Sequence, residues 1–230
     1  MKVAVLVFPG STGDIESYKA VEEVLQQQAA YVPYTAEDLS KYDTIILPGG
    51  ASYGDALRPG AIASRMRVME EVRKAAEAGR YVLGIGNGFQ ILLESGLLPG
   101  VMLPNESLKF RCQLVSLRVE NNRTSYTSEY EAGEVIQLPI AHRFGNYYCD
   151  DAVLAKLKEK GQIVFRYAGE NPNGSLDEIA GICNEQGNVL GMMPHPERAI
   201  DQLLGSGDGK RVFTSVLKAW RENHGTTRIG

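Results

Sequence analysis

The chain has 230 residues, 43% hydrophobic and 23% charged, with a formal net charge of −4. That length suits one large α/β domain with a substantial core and leaves little room for two. The mildly acidic balance excludes the basic footprint of a nucleic-acid or anionic-membrane binder, and no run approaches the ~20 apolar residues of a membrane span.

Residues 2–8 form a continuous apolar run that ends in PGSTGD, the pattern of a parallel strand buried on both faces. It is too short for a signal-peptide core and stops at Pro-Gly, so a cytoplasmic protein is expected. Residues 14–28 carry apolar side chains at helical spacing, 30–34 make a weak strand, and 43–47 a strong one closing in Pro48-Gly49-Gly50. Residues 62–78 are again amphipathic, with Gly79 placed to end the helix. A strand at 81–83 then runs through GIGNG into a helix reaching about residue 97.

The second half alternates in the manner of antiparallel strands, at 110–119 and 125–127, with Asn121-Asn122 at the bend. Further strands are expected at 135–141, 163–167, 178–183 and 189–193, and helices at 151–160 and 208–222. No linker or repeat interrupts the chain. The pattern predicts a single domain over 1–230, a doubly wound, mostly parallel sheet with an antiparallel β insertion. In such a sheet, ligands sit beyond the carboxyl ends of the strands, so the loops starting at Pro9, Pro48, Gly84 and Pro194 should gather on one edge.

The glycine turn at 84–88 has three readings. As a dinucleotide fingerprint it fails, because the third glycine position falls on Phe89 and the motif is not in the first βα unit. GSGDGKR at 205–211 also fails, lacking the spacing of a phosphate loop. As a nucleophile elbow it fits: glycines flank the apex, Gly86, and the backbone N–H of Asn87 points where an oxyanion would form. A plain tight connection is the third. A second oxyanion N–H could come from Gly49-Gly50.

His195 stands in MPHPER directly after a strand. Residues two apart in extended chain project to one side, so Glu197 can reach its imidazole and fix the tautomer, the base-and-orienter half of a triad. Alternatively Pro196 merely opens a helix whose positive end favours Glu197; both can hold. His142 lies at a strand end and is either structural or pocket-lining. The three cysteines, Cys112, Cys149 and Cys183, have neither disulfide nor metal-ligand spacing, and no metal site is expected.

Taken together, FPGSTGD (8–14), ILPGGASYGDALRPGAIA (46–63), VLGIGNGFQILLESGLLPG (82–100), LKFRC (108–112), IAHRFGNYYCDD (140–151) and GNVLGMMPHPER (187–198) resemble the glutaminase subunits of phosphoribosylformylglycinamidine synthases. These are class I, triad-type glutamine amidotransferases, and the resemblance covers nearly the whole chain. It implies a flavodoxin-like fold and a place in purine biosynthesis: a thiolate attacks glutamine, and the ammonia passes to a large ATP-dependent partner subunit, usually with a small accessory subunit. No cofactor is implied in this subunit, ATP and Mg belonging to the large partner. By resemblance His195 is the base and acid, Glu197 its orienter, Gly50 and Asn87 the oxyanion region, and Gly49, Gln90 and His142 contacts to glutamine.

The departures fall on the motif loops. The family motif G-x-C-x-G-x-Q has its nucleophilic cysteine where this chain has Gly86. SNCD is replaced by Ser11-Thr12-Gly13-Asp14, LRCG by Leu57-Arg58-Pro59-Gly60, and AHGEGN by a segment carrying Arg143 and Phe144. A chain so written is expected to keep the fold and lose glutamine hydrolysis. The alternatives are an active amidotransferase with a relocated nucleophile, and a nucleotide-binding or regulatory module using the glycine turn.

Overall fold

The computed structural model describes residues 1–225, so residues 226–230 of the expected domain lie outside it. Strand β1 (Lys2–Val7) leads to α1 (Asp14–Lys19), β2 (Gln28–Pro33), β3 (Thr44–Leu47), α2 (Val68–Glu77), β4 (Tyr81–Ile85) and α3 (Asn87–Glu94). The second half holds β5 (Val101–Leu103), β6 (Arg111–Val119), β7 (Val135–His142), β8 (Asn146–Tyr148), α4 (Asp151–Glu159), β9 (Ile163–Tyr167), β10 (Ile179–Cys183), β11 (Val189–Met192) and α5 (Lys210–His224).

One nine-stranded sheet runs in the order β2-β1-β3-β4-β11-β10-β9-β6-β7. From β2 to β11 every pairing is parallel, and from β11 to β7 every pairing is antiparallel. Because β10 and β6 alone run against the rest, the carboxyl ends of β1, β3, β4, β11 and β7 all reach the same edge. The antiparallel part thus extends the sheet and brings His142, the last residue of β7, to the edge where β4 and β11 end.

Alternation along the strands divides the core in two. Val3 and Ile46 face a cluster with Val21, Val212, Phe213 and Val216, whereas Ala4, Leu6, Ile45 and Leu47 face Val68, Val72, Phe89 and Leu92. Strands buried on both faces read as continuous apolar runs, which is why β1 and β3 are plain in the sequence.

Three expected elements differ and one strand pair is new. The helix over 14–28 is α-helical only to Lys19, continues as a π-helix over Ala20–Val24 and ends before β2 begins at Gln28. The helix over 62–78 is broken: a 3-10 turn, Ala63–Arg65, is separated from α2 by extended backbone at Met66. Ser64 Oγ bonds back to the Ala61 carbonyl at 2.9 Å, a local alternative to helical bonding. Residues 125–127 are a turn rather than a strand, because Thr124 and Thr127 share a hydroxyl hydrogen bond of 2.7 Å and Thr127 Oγ1 donates to the Asn121 carbonyl. The short pair β5–β8 was not expected. No described helix is long and apolar enough to cross a membrane.

Asn188 ties these layers together. Its side-chain amide donates to the carbonyls of Ala76 and Arg80, both at 2.8 Å, while its own carbonyl accepts from the Tyr126 hydroxyl at 2.9 Å. Asn188→Leu would strip the Arg80 carbonyl of this donor, while Ala76 keeps the Gly79 N–H, so a loss of about 1–3 kcal/mol is expected in urea unfolding. A change below about 0.5 kcal/mol would contradict that role.

Candidate active site

The turn between β4 and α3 has the shape its glycines imply. Gly86 adopts φ 53° and ψ −107°, and the helix starts at the next residue. As the first helical residue, Asn87 has a backbone N–H with no partner inside its helix, free to serve an anion. The Asn87 side chain holds the neighbouring loop: Oδ1 accepts from the Ser52 N–H at 3.0 Å, and Nδ2 donates to Gln90 Oε1 at 2.9 Å.

His195 follows β11 and Glu197 lies in the 3-10 turn Pro196–Arg198, with Pro196 as its first residue. His195 Nδ1 lies 2.7 Å from Glu197 Oε1, and the two residues are 3% and 1% exposed. A carboxylate accepts, so Nδ1 carries the proton and the Nε2 lone pair is left free as a base. Both readings of MPHPER hold at once: the helix start and the pair coexist. The His195 N–H also donates to the Pro139 carbonyl at 2.8 Å, fastening the imidazole to β7.

Glycines wall this pair. A β-carbon on Gly49 would lie 2.7 Å from His195 Cε1, and one on Gly13 would lie 3.3 Å from Glu197 Oε1. A β-carbon on Gly86 would lie 3.1 Å from His195 Cε1 and 3.2 Å from Nε2. The apex therefore addresses the free nitrogen of the imidazole, and only hydrogen stands there. The loops at Pro9, Pro48, Gly84 and Pro194 do gather on one edge: the N–H groups of Thr12 and Gly13 bond the Gly49 carbonyl, and Gly50 bridges Ser11.

Gln90 is 5% exposed and both ends of its amide have partners in the chain; Nε2 donates to the Phe144 carbonyl at 2.7 Å. The loop bearing Arg143 and Phe144 is thereby held on α3 beside the elbow. Its other anchor is Asn105, fully buried, which the sequence did not single out. Asn105 Oδ1 lies 2.9 Å from the Gly145 N–H and 3.1 Å from His142 Nδ1, and Nδ2 donates to the carbonyls of Lys109 and His142. Its partners lie up to 40 residues away in sequence, and no local pattern marks it.

His142 is thus both structural and site-lining. Its ring rests on Gly145, where a β-carbon would come within 2.2 Å of Cε1. Burial, reinforced by the His195 imidazole, lowers its pKa from 6.5 to about 4. The unfolded chain then takes up a proton near pH 6.5 that the folded chain refuses until about pH 4. This contribution to stability is complete above pH 6.5 and is lost as pH falls through that window, by up to about 3 kcal/mol. His142→Gln should flatten the urea midpoint between pH 6.5 and 4 relative to the parent; parallel profiles would contradict the assignment.

None of the three cysteines lies on the elbow. Cys112 pairs with Ala141 while Arg111 pairs with His142, so strand alternation puts Cys112 on the opposite sheet face, exposed. Cys183 pairs with Leu190 near the start of β11, at the far end from His195, and burial pushes its thiol up to about 12. Cys149 follows β8, is buried, and its pKa is also raised by burial.

Residues 1–219 match the model of the CobB/CobQ-like glutamine amidotransferase domain. Among solved structures, PurLQS from Thermotoga maritima includes a chain 49% identical, with a TM-score of 0.87 over 95% of this chain and 98% of that one. A putative GMP synthase subunit from Thermoplasma acidophilum is 16% identical with a TM-score of 0.62, covering 96% of each chain. A glutamine amidotransferase from Thermotoga maritima is 13% identical with a TM-score of 0.58, over 100% of this chain and 86% of that one. The last two support the fold alone.

Proposed function

This chain belongs to the CobB/CobQ-like glutamine amidotransferase domain family, and we propose that it is a glutaminase subunit of phosphoribosylformylglycinamidine synthase that binds glutamine without hydrolysing it. One observation carries the reading. The position that addresses His195 Nε2 at 3.2 Å belongs to a glycine, while the imidazole–carboxylate pair behind it is complete.

In a working member a thiolate at the apex would attack the carboxamide carbon. The thiol's proton, taken by Nε2 as the thiolate forms, would go on to the departing ammonia with Glu197 supporting the imidazolium, and water would then hydrolyse the thioester left behind. The N–H groups of Asn87 and Gly50 would receive the oxyanion. Here base, orienter and donors remain and the electron pair that should attack is absent. Removing the nucleophile from such a triad costs on the order of 10⁶ in turnover.

The cytoplasmic chain would act as one domain and dock on two partners, the large ATP-dependent and the small accessory subunits, with ATP and Mg held by the large one. It would need no cofactor of its own. The fit to PurLQS along nearly all of both chains supports this assembly. A relocated nucleophile is disfavoured by where the three cysteines lie, and nucleotide binding by the imidazole, which fills the space over Gly86 that a pyrophosphate would need. Treatment with an electrophilic glutamine analogue followed by peptide mass mapping tests the reading. No adduct is expected; an adduct on any cysteine would overturn it.

A further inference from the structure

Glu197 borders a second space besides the one it shares with His195. An open cavity of about 520 Å³ lies between α1, the π-helix that continues it and residues 200–210, and Glu197 is part of its wall. The elbow residues 84–88 take no part in that wall. Only half of the carboxylate is used. Oε1 holds His195 Nδ1, whereas Oε2, screened from solvent, has no hydrogen-bond partner among the described residues. A buried carboxylate oxygen without a donor is costly, which points to a group that completes it.

Arg198 does not supply that donor. Its Nε lies 3.8 Å from Glu197 Oε1 and 3.7 Å from Glu16 Oε1, beyond hydrogen-bond length from both, and is itself unpartnered among the described residues. The inner charges are thus two carboxylates against one guanidinium. The remaining charged residues of the wall, Lys19, Glu23, Asp201 and Lys210, are exposed and cancel in pairs. One positive charge is lacking.

The rest of the wall is aliphatic. Asp201 Oδ1 accepts from the Leu203 N–H at 2.9 Å and Asp201 bridges Ser206, which fixes the 3-10 turn Gln202–Leu204. That turn holds Leu203 94% and Leu204 61% exposed at the cavity, beside the half-buried Val24 and Ile200.

We propose that this cavity binds a small primary alkylamine, its ammonium donating to Glu197 Oε2 and Glu16 and its stem lying on Leu203, Leu204, Val24 and Ile200. A donor-only cation on an apolar stem matches an acceptor-rich end and an aliphatic wall. An alcohol brings no charge, and a carboxylate brings the wrong one. The site is separate from that for glutamine and does not depend on glutamine binding. It reaches the catalytic pair through one carboxylate, whose two oxygens serve the imidazole and the amine. A bound ammonium should draw charge from Oε1 and loosen its hydrogen bond to His195 Nδ1.

The test titrates the unmodified chain with n-pentylamine, 1-pentanol and pentanoate, following binding by calorimetry and the His195 Nδ1–H resonance by NMR. Pentylamine should bind at least about 10-fold more tightly than pentanol, as a charge-assisted hydrogen bond requires, and should move that resonance upfield. Pentanoate should not bind. Replacing both exposed leucines, Leu203→Ser with Leu204→Ser, should weaken pentylamine about fivefold and leave the urea midpoint unchanged. No saturable binding of pentylamine would overturn the proposal and leave Oε2 to an ordered water only. Equal binding of amine and alcohol would overturn it too, as would amine binding that leaves the Nδ1–H resonance in place, since the ammonium would not then be on Glu197.

Discussion

Gly86→Cys is expected to raise glutamine hydrolysis by as much as about 10⁶-fold, equivalent to about 8 kcal/mol of barrier. The imidazole and its carboxylate partner already stand opposite the apex. The apex already has φ 53°, and the new β-carbon would stand 3.2 Å from His195 Nε2, with the sulfur one bond further on. An imidazole beside it would draw the thiol toward thiolate. The substitution should also cost about 1–3 kcal/mol of stability, because a side chain at positive φ is strained and the His195 ring must give by a few tenths of an ångström. Gain of glutamate release with a lowered urea midpoint is the expected pair of results. A stable variant that stays inactive would shift the blame to Arg143, Phe144 or the altered 11–14 and 57–60 loops.

Gly88→Ala should have the largest effect on folding. A β-carbon there would fall 1.9 Å from the Leu47 carbonyl oxygen and 2.6 Å from its carbon, both backbone atoms of β3. No rotamer relieves that contact; helix α3 must lift from the sheet, taking Phe89 and Leu92 out of the core. The loss should exceed about 4 kcal/mol, a size reserved for forced backbone displacement and cavities. In a domain of this length that lowers Tm by roughly 8–16 °C. Gly225→Ala, where an added β-carbon meets nothing within 4 Å, serves as the control and should change little. An equal, small effect from both substitutions would refute the close approach of α3 to β3.

Both results turn on a part of the molecule that is legible in the sequence. The elbow is readable because its glycines have fixed jobs, Gly88 in close packing and Gly86 at a left-handed apex. His195 and Glu197 are readable because period-two projection is a local rule. What escapes is non-local or finely local. Asn105 acquires its meaning from partners at and just after the end of β7, dozens of residues away. The π turn after Lys19 and the break at Met66 escape because apolar periodicity cannot separate helix types. Residues 125–127 mislead because Tyr126, although fully buried, is set by hydroxyl hydrogen bonds in a turn rather than by a strand ladder. The continuation of the sheet from β10 to β7 is readable only as an insertion, since strand order is a tertiary fact.

Glutamate and ammonia release by the unmodified chain, saturated with glutamine beside its large synthase partner and ATP, is the most direct measurement. Hydrolysis should be absent while Gly86→Cys in the same preparation turns over. Turnover by the unmodified chain within about tenfold of that variant would contradict the central claim that the apex needs a sulfur atom it does not have.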